Sequence, residues 1–113
     1  MNMGDISLDV RRLHAQIMDM LASGYVGGSG KLFRLEQDAW KCHAELTGGK
    51  KAVCAVIARF LDKIATQQDG EAVTDEDAAK LCETVRQPLT QCIDYLIGRD
   101  SGLAPEQLVA ALQ

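Results

Sequence analysis

The sequence predicts an all-α protein, an up-down-up-down four-helix bundle with a short fifth helix at the C-terminal end. Three observations support this fold class. Apolar residues recur at alternating steps of four and three in four successive segments, which keeps them on one face of a helix. No segment shows the alternation of apolar and polar residues that is typical of a strand. The 113 residues fit one domain, and we expect a single helical domain over residues 1–113.

Four apolar stripes define the predicted helices. Each stripe covers one face of its helix, so the helices must bury these faces against one another, as in a bundle. In chain order the stripes are Ile6, Val10, Leu13, Ile17 and Met20; Leu32, Leu35, Ala39, Cys42 and Leu46; Val53, Ile57, Phe60 and Ile64; and Cys82, Val85, Leu89, Cys92 and Leu96.

The first helix is predicted over about residues 6–23, with Asp5 as its N-terminal cap and Gly24 as its terminator. The connection at residues 24–30 contains four glycines, and we expect it to be the most flexible inner segment. The second helix follows over about residues 31–46.

A short turn at residues 47–49 separates the second helix from the third. Connections of this length usually place the flanking helices side by side and antiparallel, so we expect a helical hairpin. The third helix is predicted over about residues 50–67 and is apolar around most of its circumference at residues 52–58. It should be the most deeply buried helix.

A polar loop at residues 68–73 leads into a fourth helix, predicted over residues 74–97. Pro88 lies inside this helix and cannot donate a hydrogen bond to the carbonyl oxygen of Thr84. We therefore expect the fourth helix to be kinked or split near Gln87, next to this proline.

The C-terminal segment opens with Ala104-Pro105-Glu106, a favourable helix start, and carries Leu108 and Leu112 about one turn apart. It predicts a small fifth helix or, alternatively, a docking tail.

Composition and charge exclude several function classes. The net charge of −4 repels phosphate backbones, and the basic residues are scattered, which disfavours nucleic-acid binding. Residues 1–9 lack a secretory signal pattern, and no apolar run reaches the roughly 18 residues that suggest a membrane span. We expect a cytoplasmic protein that binds neither nucleic acid nor membrane.

Four residues are candidates for binding a protein partner. Phe33 and Trp40 lie beside the second stripe and widen its apolar face, which can complete the core or form a dimer interface. Tyr25 and Val26 lie on the glycine-rich connection, where they can fold back over the core or contact a partner.

The cysteines offer a second candidate site. Cys42 and Cys54 are almost equally far from the predicted turn, so they should lie at the same height in an antiparallel hairpin, with Cys92 within about one turn of them. Together with His43 they could form a metal site or a redox-responsive pair. The alternative is core packing, because free cysteine is commonly buried as a small apolar side chain.

No enzyme signature is present. Gly30-Lys31 lacks the other residues of a phosphate-binding loop, and the sequence contains no Glu-x-x-His pair of a di-metal bundle. We predict no catalytic residues and no cofactor. The favoured function is a small non-catalytic interaction protein, of a regulatory, chaperone-like or immunity-like kind, that binds another protein or itself as a homodimer. The alternative is a thiol- or metal-responsive sensor bundle that uses Cys42, Cys54 and Cys92.

Overall fold

The computed structural model describes residues 7–22, 28–70, 80, 83–99 and 102–112, with side chains except at 28–31 and 64–70. The described residues form helices and no strand, which confirms the predicted all-helical class. The helices are α1 (Leu8–Ala22), α2 (Gly28–Glu45), α3 (Gly48–Gly70), α4 (Arg86–Leu96) and α5 (Pro105–Leu112).

Helix α1 begins directly after Ser7, which caps it. The hydroxyl oxygen of Ser7 accepts a hydrogen bond from the backbone N–H of Val10 at 3.2 Å, as a capping serine does for the third residue of a helix. The same hydroxyl donates to the carboxylate of Glu45 at 2.9 Å, which joins the start of α1 to the end of α2. The predicted cap, Asp5, lies outside the described residues.

Helix α2 begins at Gly28, three residues earlier than predicted, so residues 28–30 are helical and do not belong to a flexible connection. Glycine costs about 1 kcal/mol in a helix, a preference that tertiary packing commonly overrides. Leu32 and Leu35, in the following turns, are both buried in the core. Their burial favours continuing the helix through the glycines.

Helices α2 and α3 form the predicted antiparallel hairpin. The connection between them is Leu46-Thr47, and Gly48 adopts a left-handed φ of 61°, which favours glycine. The ammonium group of Lys51 donates to the carbonyl oxygen of His43 at 2.9 Å and so caps the end of α2.

Helix α3 has the most continuous burial, as predicted, since all six residues at 53–58 are buried. It packs against α2, α4 and α5, whereas α1 packs against α2 and α4. The radius of gyration of 13.5 Å is close to the roughly 13 Å expected for a compact chain of this length. The up-down-up-down order of the four longer helices stays a prediction.

The predicted fourth helix is interrupted at Val85, a turn residue between helical residues 83–84 and helix α4. Pro88 is therefore the third residue of α4. In the first turn the N–H groups have no acceptor inside the helix, so a proline there removes no hydrogen bond. The interruption lies two residues before Gln87, where we expect it from the sequence.

Helix α5 docks on the rest of the protein through Leu108 and Leu112, both buried. Its start is capped by Gln107, whose side-chain oxygen accepts a hydrogen bond from the N–H of Ala104 at 2.8 Å. The C-terminal segment is thus both a helix and a docked one. Within the described ranges, every helix is too short or too polar to cross a membrane.

Candidate functional site

The outer side of the α2–α3 hairpin carries an exposed tryptophan among charged side chains. We call this surface the hairpin face and define it by Glu36, Trp40 and His43 of α2 with Arg59 and Asp62 of α3. Trp40 is 37% exposed, and in the described part of the chain only it and Leu8 are large apolar side chains left in solvent. The indole of Trp40 offers both an apolar ring and a polar N–H group, the combination that makes tryptophan common at protein interfaces.

The indole of Trp40 is held in place from both sides. Its Nε1–H donates to a carboxylate oxygen of Glu36, one turn earlier, at 3.1 Å. Its ring meets the imidazole of His43, nearly one turn later, edge to face, with centroids 5.1 Å apart and an interplanar angle of 79°. Aromatic pairs in this geometry contribute about 0.5–1.5 kcal/mol. The indole is therefore oriented before any partner arrives.

The N-terminal side of the hairpin face holds two carboxyl groups, Glu36 and Asp62, which are close enough for the charge of Asp62 to act on Glu36. Burial of Glu36, followed by the charge of Asp62, raises the pKa of Glu36 above its ordinary value, although the hydrogen bond from Trp40 opposes this. Glu36 therefore ionises less readily than an exposed glutamate.

On the other side of Trp40, His43 lies near two cations, Lys51 and Arg59. Burial of His43 lowers its pKa, and the positive charges of Lys51 and Arg59 lower it further. Arg59 is exposed, and His43 and Lys51 are half-buried. A proton on His43 would add a positive charge close to those of Lys51 and Arg59.

The candidates for partner binding are placed differently by the structure. Trp40 is on the surface, whereas Phe33 is half-buried and packs against the core. Tyr25 and Val26 lie outside the described residues. The acidic pair was not predicted from the sequence. The sequence did contain a signal for the contact between Glu36 and Trp40, because their spacing of four residues puts them on one helix face.

The three cysteines proposed as metal or redox residues are all free and buried. The thiol of Cys54 donates to the carbonyl oxygen of Ala39 at 3.1 Å, and that of Cys92 to the carbonyl oxygen of Leu108 at 3.5 Å. Cys42 lies near enough to raise the pKa of Cys54. Cys54 and Cys92 therefore use their thiols to satisfy backbone oxygens in the core.

These cysteines and His43 are not grouped as metal ligands. All four side chains are described, and the described part of the chain contains no group of three His, Cys, Asp or Glu that could hold a metal ion. Burial raises the pKa of Cys42 to about 11 and those of Cys54 and Cys92 to about 12. Reactive and metal-binding thiols have a lowered pKa, so this geometry favours the core-packing interpretation.

The second histidine, His14, joins α1 to α4. Its Nε2 lies 2.8 Å from Oδ1 of Asp94, and the guanidinium of Arg99 lies 3.7 Å from the same oxygen. A carboxylate in this position fixes the orientation of the imidazole. The contact joins α1 to α4, since the two residues are 80 positions apart in the chain.

Comparison of the chain with protein-family models, with curated proteins and with solved structures gives no match. The function therefore has to be inferred from the chemistry of the hairpin face itself.

Proposed function

We propose that this protein is a small, non-catalytic, cytoplasmic interaction protein that acts by binding another protein through the hairpin face. The proposal includes the up-down-up-down bundle as its scaffold. The observation that carries it is the exposed indole of Trp40, which is fixed between Glu36 and His43.

Tryptophan supports this proposal for an energetic reason. It is among the residues most enriched at the centres of protein interfaces, where a few side chains supply most of the binding energy. Ordering a free side chain on binding costs about 0.5–1.5 kcal/mol. Since Trp40 is already held by a hydrogen bond and a ring contact, that cost is reduced.

The charges around Trp40 support the proposal through specificity. Charged groups at the edge of an interface contribute more to partner choice and to the rate of association than to affinity. Glu36, Asp62 and Arg59 therefore surround the indole with charges that a partner has to match.

The test is photo-crosslinking in cells that produce the protein. A photoreactive phenylalanine analogue replaces Trp40 in one variant and Asp19, an exposed residue of α1, in the control. We expect a discrete crosslinked species from position 40 and none from position 19. Equal crosslinking at both positions, or none at position 40, would contradict the proposal.

The crosslinking variants must fold as the wild type does. Position 40 is on the surface, so its substitution should leave the helical content and the urea midpoint close to those of the wild type. Circular dichroism measured on both variants provides this check before any crosslink is interpreted.

A further inference from the structure

Helix α5 covers part of helix α3. The consecutive apolar residues 53–58 of α3 are all buried, so this stretch of the helix is covered around its whole circumference. The described helices that pack against α3 are α2, α4 and α5. Since α5 supplies part of the cover, its removal would expose apolar surface of α3.

The contacts of α5 place it in a groove between α3 and α4. Its first residue, Pro105, lies close to Gly49, as does the hydroxyl group of Tyr95. One turn later, the carbonyl oxygen of Leu108 accepts a hydrogen bond from the thiol of Cys92 at 3.5 Å. Because its neighbours on α4 run backwards, α5 is antiparallel to α4. We define the α5 groove by Gly49, Cys92 and Tyr95.

The described contacts that hold α5 in this groove are few. The helix has eight residues, and isolated helices shorter than about 12–15 residues are marginal in water. Leu108 and Leu112 are buried and Val109 is half-buried, whereas residues 106–107 and 110–111 are exposed. The hydrogen bond to α4 comes from a thiol, which is a weak donor. Elements with so few buried contacts open locally while the rest of a protein stays folded.

The end of α4 is complete without α5. The backbone N–H of Arg99 donates to the carbonyl oxygen of Asp94 at 3.0 Å, and that of Gly98 donates to another carbonyl oxygen in the last turn of α4 at 3.1 Å. Gly102 follows with a left-handed φ of 81°, and glycine leaves this conformation at little steric cost. The connection can therefore turn at Gly102 and release α5 without altering α4.

We propose that α5 is a displaceable strap, and that the α5 groove binds an amphipathic helix of another protein when the strap is released. Helix α5 itself gives the chemistry of that partner: two aliphatic side chains four positions apart on the inner side, and small or polar residues on the outer side. The groove shares no residue with the hairpin face, so it is a second binding site beyond the proposed function.

The strap sets a threshold for binding. A competing helix binds only to the fraction of molecules whose groove is open, so its apparent dissociation constant is the intrinsic one divided by that fraction. Minor conformations of this kind are typically about 0.1–10% populated. The docked strap should therefore weaken binding at least about tenfold.

The first experiment measures fluorescence anisotropy of a labelled peptide with the sequence of residues 102–113, titrated with the full chain. Leu108→Ala combined with Leu112→Ala releases the strap but leaves the groove unchanged. We expect this variant to bind the peptide at least about tenfold more tightly than the wild type. The matched control, Ala110→Ser with Ala111→Ser on the exposed side of α5, should bind as the wild type does.

A disulfide tests the opposite state, in which the strap is locked. A Cβ atom on Gly49 would lie 2.9 Å from Cβ of Pro105, somewhat closer than the roughly 3.5–4.5 Å of a disulfide. Gly49→Cys with Pro105→Cys also removes the proline ring and so gives room for the bridge. When oxidised, this variant should not bind the peptide, and reduction should restore binding. Each single cysteine variant should bind with or without oxidant.

Hydrogen exchange measured on the wild type shows whether α5 opens alone. Its amides should exchange at least about tenfold faster than those of residues 53–58. Equal rates would overturn the inference, because α5 would then belong to the cooperative core. Loss of helical content beyond that of α5 in the Leu108→Ala, Leu112→Ala variant would overturn it for the same reason.

The remaining outcomes concern the occupant of the groove. A folded released variant that does not bind the peptide, or peptide binding that survives the oxidised lock, overturns the inference. So does a wild-type dimer that the lock converts to monomer, since the occupant is then α5 of a second copy. Trp40→Ala should leave peptide binding unchanged, and crosslinking from position 40 should persist in the locked protein. Failure of either proposal is therefore seen separately.

Discussion

Gly49 at the start of α3 packs directly against Pro105, the first residue of α5. A Cβ atom on Gly49 would lie 2.5 Å from Cγ of Pro105 and 3.0 Å from the hydroxyl oxygen of Tyr95. The first distance is shorter than real Cβ contacts and the second is tight, so no larger residue fits here without movement of Pro105. This close approach fixes the C-terminal helix against the hairpin.

Substitution of Gly49 by alanine should therefore destabilise the docking of α5. We expect Gly49→Ala to lower the free energy of unfolding by about 1–3 kcal/mol, the usual cost of overpacking, and to increase hydrogen exchange in α5. Urea denaturation and amide exchange measured by mass spectrometry check this.

The neighbouring glycine is the control. A Cβ atom on Gly48 would meet open space, but the residue has a φ of 61°, so Gly48→Ala should cost about 1–2 kcal/mol through backbone strain alone. Its effect on exchange should be no larger in α5 than elsewhere. If Gly49→Ala likewise increased exchange in α5 no more than elsewhere, the close contact with Pro105 would not contribute to the docking of α5.

The pair formed by His14 and Asp94 should couple α1 to α4. The two side chains are 18% and 23% exposed, so their hydrogen bond is partly shielded from water. In a double-mutant cycle with alanine we expect a coupling energy of about 0.5–1.5 kcal/mol. Urea denaturation of the two single variants and the double variant gives this value.

The exposed ion pair of Glu83 and Arg86 provides a comparison for that cycle. Its side chains are 67% and 41% exposed, and pairs of this kind couple by about 0.2–1 kcal/mol or less. A coupling for His14 and Asp94 below that of the exposed pair would show that the contact does not stabilise the helix packing.

Glu36 should make stability depend on pH in a defined direction. Because burial and Asp62 raise its pKa in the folded protein, its contribution is most favourable at low pH and is lost as the pH rises through the folded pKa. Glu36→Gln removes this loss and still offers an oxygen to the indole of Trp40. We expect the variant to be more stable than the wild type at pH 7 by up to about 0.5 kcal/mol.

Urea midpoints at about pH 3 and about pH 7 test this expectation, since the difference should disappear where the carboxyl group is protonated in both states. Asp19→Asn, with an exposed carboxyl group on α1, serves as the control. A variant less stable than the wild type at pH 7 would mean that the ionised carboxylate is stabilising.

The buried thiols should react slowly in the folded protein. The pKa of Cys54 and of Cys92 is raised from 9.0 to about 12. Each pKa unit reduces the thiolate fraction about tenfold, so thiolate should be roughly a thousand times scarcer than in the unfolded chain. Alkylation with iodoacetamide, resolved by peptide mass spectrometry with and without urea, measures this. Rapid labelling of either cysteine under native conditions would revive the sensor interpretation.

Much of the fold follows from the regular spacing of apolar residues in the sequence. The 4,3 spacing predicted the buried faces of α1, α2 and α4, and the apolar run at residues 52–58 predicted that α3 would be the most buried helix. The proline predicted an interruption close to its actual place at Val85. These predictions succeed because each depends on residues within one helix.

The candidate site was predicted less completely. Sequence spacing indicated Trp40, but it gave Phe33 the same status, and Phe33 packs against the core. The difference between the two depends on which neighbouring helix covers each side chain. A pattern within α2 carries no information about that.

The amino-acid sequence by itself determined that the chain is helical and which stripe of each helix is buried. Only the tertiary structure decided that Asp62 lies against Glu36, that Pro105 lies against Gly49, and that the thiol of Cys92 meets a carbonyl of α5. The physical reason is that helix periodicity orients a side chain about its own axis. The relative height and rotation of two helices are set by the packing of both surfaces together.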